Sequence, residues 1–382
     1  MRPAPVIAPA ALLGSARERV RRVRVEELAS RLATGAGKAA PGIVFGAVWT
    51  DGRRVVRAAG RADLRTGRPA DPAAPFPWFS ITKLFTATAV VQLAEQRRLA
   101  LDAPVSSILP ELRLERNGTE ATVRHLLAHA AGLPNPIPVT WVHLAAEKGP
   151  GLETLLARHL GTTPRLRFEP GTRSAYSNLG YLVLGRVVER VAGERFEDYL
   201  CAHVLQPLGA DETGFDAVRC GITGHQRRAS LMGLAMRAML DRRFLDGAVE
   251  GYWPLRPVAV DGAPYGGLIG PVEDLLALAR MVLAGGAGAR GRVLSAASVE
   301  TMLTPTVDRD GRDLPVGLGF RIASEDGYRF VHHLGGGGGF RSELRIYPEL
   351  GYAVAVVGSE TSFPTEAFTR LLLARPGDAA VG

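Results

Sequence analysis

Hydrophobic positions recur along this chain at two periods, and the switch between them divides it. Residues 16–34 space apolar side chains among arginines and glutamates as an amphipathic helix would. Residues 42–49 are a short apolar run, separated from a second run over 54–61 by the pair Asp51-Gly52. Such a pair tolerates positive φ, so it predicts a hairpin closed by a type I′ turn. After a proline-rich loop at 69–77 the helical period takes over. Residues 81–97 are apolar nearly all round, which predicts a buried helix. Further helices are predicted over 123–131, 152–160, 179–192 and 272–284, with Gly193 and Gly285 placed as left-handed residues just past two of them. Short β-branched runs return at 328–333, 342–347 and 352–358, and a last helix follows over 367–374. Strands near both ends of a chain must meet in one sheet. The expected fold is therefore α+β: an antiparallel sheet flanked by N- and C-terminal helices, from about 16–79 and 311–382, beside a mostly helical lobe of about 80–310. No repeat or linker interrupts it, so residues 1–382 read as one unit.

Composition narrows the function classes. The chain has 382 residues, 46% of them apolar, enough for a large core and too apolar for disorder. The formal charge is +8, carried almost wholly by arginine; the lysines are Lys38, Lys83 and Lys148. The densest basic stretch, 16–25, has helical spacing and no interleaved aromatics, so it reads as a solvated face, with no nucleic-acid partner. Cys201 and Cys220 form neither a disulfide framework nor a metal-ligand pattern. No run is long and apolar enough to span a membrane. Prolines break the first fourteen residues, so a cytoplasmic protein is expected, with export after cleavage at Leu13-Gly14-Ser15-Ala16 as the alternative.

Candidate chemistry begins at Ser80-Ile81-Thr82-Lys83, where a loop runs into the buried helix. Residues three apart on a helix share a face, so the Lys83 amine can reach the Ser80 hydroxyl. A serine is a poor nucleophile until a base takes its proton, and a lysine can serve only if burial or a nearby cation lowers its pKa. Phe79, Leu84 and Phe85 supply the desolvation. The first helical amides lack partners, which leaves the Ser80 N–H for an oxyanion. Were Ser80 only a helix cap, the capping box would want Glu or Gln where Lys83 stands. With fourteen serines and three lysines, chance gives this spacing about 0.1 times.

Tyr176-Ser177-Asn178 stands before the helix at 179. Its tyrosine can relay the proton to a leaving group, and its asparagine offers a donor and an acceptor. His333-Leu334-Gly335 ends a strand and runs into Gly336–Gly339. His-x-Gly is common by chance. A strand end without side chains, however, lets backbone approach a substrate, with the Gly336 N–H as a second oxyanion donor. No Lys-Ser/Thr helix follows the glycines, which argues against phosphate binding.

Together these residues resemble the serine β-lactamase and penicillin-binding-protein family, in the branch of class C enzymes, D,D-peptidases, esterases and transacylases. The likeness runs over about 40–375 and includes 122–132, Phe168-Glu169-Pro170-Gly171, 176–181, Gln206-Pro207-Leu208-Gly209 and 333–340. The resemblance implies an α/β lobe and a helical lobe with the site in the cleft between them. It implies an acyl-enzyme on Ser80, Lys83 and Tyr176 handling the proton, and substrate contacts from Asn178, His333, Gly335 and Gly336. Cofactors are not implied. A β-lactamase usually has lysine where His333 stands, and a histidine is only partly charged at pH 7. The resemblance then favours an esterase, amidase or transacylase on a small-molecule ester or amide, with water, an amine or an alcohol as acceptor, such as natural-product biosynthesis employs. A class C-like β-lactamase or D,D-peptidase is the alternative. A silent ligand-binding receptor is the alternative of another class, although such a receptor is expected to lose Ser80, Lys83 or Tyr176.

Two further groups bear on the site. His125 and His129 lie four apart, as metal ligands can, but no glutamate follows His125 and no third ligand is evident; no metal is expected and the segment reads as structural. Trp141, Tyr252 and Trp253 fall in the segments least like the family, so they are candidate pocket walls.

Overall fold

Six strands join the two ends of the chain. The computed structural model describes residues 40–136, 141–230 and 241–372, so the helix expected at 16–34 lies outside the described residues. Strands β1 (Gly42–Trp49), β2 (Arg54–Gly60), β3 (Arg321–Glu325), β4 (Tyr328–Gly337), β5 (Phe340–Tyr347) and β6 (Tyr352–Gly358) form one antiparallel sheet in the order β3-β4-β5-β6-β1-β2. The first and last strands meet at its centre, with Ile43 opposite Gly358 and Trp49 opposite Tyr352. β1 is buried along its whole length, because both faces are covered. Its alternate residues divide between two cores, as a pleat of period two requires. Val44 and Val48 join the large core toward the helices, while Phe45, Ala47 and Trp49 join a smaller one with Phe363 and Phe368. The fold is α+β.

The β1–β2 connection departs from the expected turn. Gly52 has φ 85° and Asp51 does not have positive φ. The Gly52 N–H bonds the Trp49 carbonyl, and the Trp49 N–H bonds that of Arg53. This is a three-residue loop, a type I turn followed by a left-handed glycine, rather than type I′.

The helices that position the site are α1 (Thr82–Glu95), α2 (Val123–Leu127) and α3 (Asn178–Ala192); α4 (Val272–Leu283) and α5 (Thr365–Leu371) cover the two faces of the sheet. α1 has twelve buried residues, from Thr82 to Leu93, and is enclosed on all sides as its sequence predicts. Gly193 and Gly285 take φ 76° and 58°, the left-handed values expected. α2 is shorter than the 123–131 expected and stops at Leu127. Short two-stranded ribbons, among them Val142–Leu144 with Val258–Val260 and Gly224–Arg227 with Tyr252–Leu255, interrupt the region read as helical. Among the described residues no helix is long and apolar enough to cross a membrane.

Candidate active site

Ser80 is set on a single 3-10 turn, Phe79–Ile81, that runs directly into α1. Phe79 is held in the left-handed region at φ 47°, a conformation that a bulky residue keeps only when its surroundings fix it. The fixing surface is the glycine run of β4. A Cβ on Gly337 would fall 2.8 Å from the Phe79 ring, and one on Gly335 would fall 2.3 Å from the Trp78 carbonyl oxygen. The glycines thus let the strand end press onto the turn that carries Ser80. β3 pairs with β4 only as far as His332, opposite Arg321. Beyond it, His333 to Gly337 keep β5 on one edge, and no strand of the described residues covers the other.

Two proton-carrying groups converge on the Ser80 hydroxyl. Lys83 Nζ lies 3.1 Å from Ser80 Oγ and donates to the Tyr265 carbonyl at 2.8 Å. The Tyr176 hydroxyl donates to Ser80 Oγ at 2.6 Å. Lys83 is fully buried, and its Nζ sits 4.9, 5.5 and 5.2 Å from the ring centroids of Tyr176, Tyr181 and Tyr265. Burial, with the Arg321 charge behind it, holds this amine well below its ordinary range. Burial acts oppositely on an acid that ionises to an anion: the Tyr176 phenol is pushed up to about 12 despite its bond to Ser80. The two environments favour a neutral amine and a protonated phenol on either side of one hydroxyl.

His333 is brought to the same place, and Asn178 follows Tyr176 two residues on. His333 is buried, with its ring centroid 6.2 Å from that of Tyr176. Its Nδ1–H donates to the Leu334 carbonyl at 2.7 Å. Burial and the adjacent Lys83 hold the ring well below its ordinary value. His333 is therefore neutral, which corrects the expectation of partial charge at pH 7. Asn178 opens α3, and its backbone N–H donates to Asn135 Oδ1 at 3.0 Å. His333 Nε2, Asn178 Oδ1, His129 Nε2 and the Tyr265 hydroxyl are buried and take no partner among the described residues. Gly335 and Gly336 lie on β4, and a Cβ at Gly336 would meet no atom closer than 3.8 Å.

The aromatic candidates are placed differently. Trp141 is 3% exposed, with its ring 4.1 Å from that of His159 and 5.9 Å from that of Tyr265. It packs in the core behind the residue whose carbonyl holds Lys83. Tyr252 and Trp253 lie on a strand paired with Gly224–Arg227. Tyr252 is buried against His225, and Trp253 is half-buried beside Arg228. That hairpin meets the glycine turn, where the His225 N–H bonds the Gly339 carbonyl.

Sequence reasoning missed Arg321. It begins β3, is exposed, and holds its guanidinium carbon 5.6 Å from the Tyr176 ring centroid. It has no carboxylate partner among the described residues. Its charge bears on Lys83, Tyr176, His129 and His333. The run RIASE is short and half polar, which hid the strand; charged edge strands commonly look so. No group of three or more His, Cys, Asp or Glu capable of holding a metal occurs among the described residues.

Comparison with known proteins adds four likenesses. The Beta-lactamase family model matches residues 28–376. Penicillin-binding protein 4 of Amycolatopsis lactamdurans is 29% identical over 338 residues, covering 85% of this chain and 84% of its own length. Esterase EstB of Burkholderia gladioli is 38% identical over 170 residues, a stretch that is 42% of this chain and only 43% of EstB. Among solved structures, SurE with D-Leu superposes with a TM-score of 0.68 at 28% identity, covering 95% of this chain and 76% of that one.

Proposed function

The chain belongs to the beta-lactamase family and is an enzyme of serine-hydrolase type, and from that premise we propose that Ser80 carries the acyl group of a small-molecule ester or amide. The observation that carries this reading is the convergence of Tyr176 and Lys83 on Ser80 Oγ, at 2.6 and 3.1 Å. Groups whose environments push their pKa values apart sort into base and acid. Lys83, kept neutral, takes the hydroxyl proton as Ser80 Oγ bonds to the acyl carbon. The Ser80 and Gly336 N–H groups hold the oxyanion. Tyr176, kept protonated, gives its proton to the leaving alcohol or amine and is restored from Lys83. Water, an amine or an alcohol then opens the ester on Ser80 by the reverse proton path. The esterase likeness of EstB supports ester chemistry; a biosynthetic acceptor in place of water is the finer part of the proposal. Intact mass after incubation with p-nitrophenyl esters tests it, since acylation should add one acyl group to a peptide containing Ser80.

Arg321 supports a substrate class. With His333 neutral, the exposed guanidinium beside Tyr176 is one cation among the described residues that can meet an anion. A planar guanidinium fits a carboxylate bidentately. We therefore place a carboxylate on the acyl donor. Tyr252 and Trp253 remain candidates for the outer wall on the acceptor side. The neutral His333 favours weak β-lactamase activity at most, which turnover of nitrocefin against simple esters tests.

A further inference from the structure

His129 occupies a backbone position that normally goes to glycine. The N–H of His129 bonds the Leu126 carbonyl and that of Ala130 bonds the His125 carbonyl, the pair of bonds that closes a helix in the Schellman manner. The residue at its left-handed corner is usually glycine, because a Cβ there is strained. Here it is a histidine at φ 54°, 6% exposed. A buried side chain kept at a strained corner needs a reason in its contacts.

Most of those contacts fall on one three-residue stretch. The His129 carbonyl accepts the Ala175 N–H at 2.9 Å. Its Nδ1 accepts the Ser177 N–H at 3.2 Å. Between them, its ring lies against that of Tyr176, with centroids 4.6 Å apart, and against Tyr181 at 5.1 Å. The neighbouring Ala128 carbonyl accepts from the Ser174 hydroxyl at 2.8 Å. An acceptor Nδ1 requires a ring that is not protonated there. Burial, with Lys83 and Arg321 close by, holds this imidazole well below its ordinary value and so keeps the acceptor.

We propose that His129 is a positioning residue, a one-residue clamp that grips the stretch 175–177 by backbone, ring nitrogen and ring face and so aims the Tyr176 hydroxyl at Ser80. It touches neither Ser80 nor the reacting atoms; it acts through Tyr176. The proposal rests on the reading of Tyr176 as a proton carrier only for its effect on rate. A displacement of about 1 Å in such a group costs about 10- to 100-fold in rate.

Two variants and one spectroscopic label test it. His129→Gly suits the left-handed corner and removes the clamp, whereas His129→Asn tolerates that corner and can still accept the Ser177 N–H. His129→Gly should lower kcat for a p-nitrophenyl ester about 10-fold or more with KM nearly unchanged, and His129→Asn should recover part of the loss. In a Tyr176→Phe background the same change should cost less than about 2-fold, because the clamp has nothing left to aim. Equal losses in both backgrounds, or an unchanged kcat, would overturn the clamp. A 3-fluorotyrosine at position 176 separates the two proposals. If Tyr176→Phe turns over like the wild type, the proton-carrier reading fails. The fluorine line then still decides the clamp, which stands if His129→Gly broadens or splits that line, as loss of a single held position would, and falls if the line stays single and sharp. Should His129→Gly fail to fold, His129→Asn carries both measurements.

Discussion

Tyr176 reaches Ser80 across 96 positions of chain, and its hydroxyl donates to Ser80 Oγ at 2.6 Å. The two residues stand just before different helices, α1 and α3, which pack against each other. Each lies at a helix N-terminus, so the alignment of two helix ends sets the distance between hydroxyls.

Ser80 should be the residue that becomes acylated. A fluorophosphonate or a p-nitrophenyl ester is expected to label one peptide, and Ser80→Ala should abolish the added mass. Persistent labelling in that variant would move the nucleophile elsewhere.

Lys83 and Tyr176 share one proton path through Ser80, so their losses should not add. Lys83→Ala and Tyr176→Phe should each lower kcat about 10²-fold or more, and the double variant should fall little below the worse single. Steady-state kinetics on one ester decides this; additive losses would mean independent roles.

Burial of Lys83 should also appear in stability. Its amine is held well below the ordinary value of 10.5, so the unfolded chain binds more protons than the folded one in the interval between. Stability should therefore rise with pH across that interval and level off above it, by at most about 1.4 kcal/mol per pH unit. Lys83→Met has no such proton to lose. Its urea midpoint should climb less than that of the wild type between pH 7 and pH 9, and parallel slopes would contradict the lowered value.

Arg321 should discriminate between substrates and shift a titration. For matched p-nitrophenyl esters with and without a terminal carboxylate, the ratio of kcat/KM should favour the anionic ester. Arg321→Gln should reduce that ratio about 10-fold. Removing the cation also lets the Lys83 value rise, so the acid limb of the pH–rate profile should move to higher pH. An unchanged ratio would remove the carboxylate from the proposal.

Gly335→Ala should disable the site while leaving the fold. The new methyl would fall 2.3 Å from the Trp78 carbonyl oxygen, pushing β4 off the Ser80 turn at a cost of about 1–3 kcal/mol. A cooperative thermal transition with kcat down 10²-fold or more is expected; full activity would show that the strand need not press on the turn.

Most elements of the sheet and of the long helices were legible because period and length agree there. β1, from Gly42 to Trp49, and β6, from Tyr352 to Gly358, match the sequence expectation residue for residue. Boundaries failed where a special backbone intervened. Residues 128–131 keep an apolar pattern, yet the left-handed His129 ends α2 before them, and histidine gives none of the warning a glycine would. The motif residues Ser80, Lys83, Tyr176, Asn178 and His333 could be named from spacing, and Lys83, Tyr176 and His333 stand near one another beside Ser80. Electrostatics were less legible: the neutrality of His333 follows from burial beside Lys83, and the cation at the mouth, Arg321, arrives on a strand too short and polar to announce itself. Trp141 was drawn to the pocket by its unusual segment, yet it packs inside, because a tryptophan's rarity says nothing of which way it faces.

The pairing of β1 with β6 has a further consequence for how the enzyme comes into being. A ribosome releases the β1–β2 hairpin some three hundred residues before the strand that belongs beside it. Contacts so distant in sequence form late, and β4, which closes over Ser80, emerges in the same final stretch. A nascent chain can therefore hold its helical part while its nucleophile stays uncovered, and acylation should appear all at once, only after β4 and β6 have left the exit tunnel.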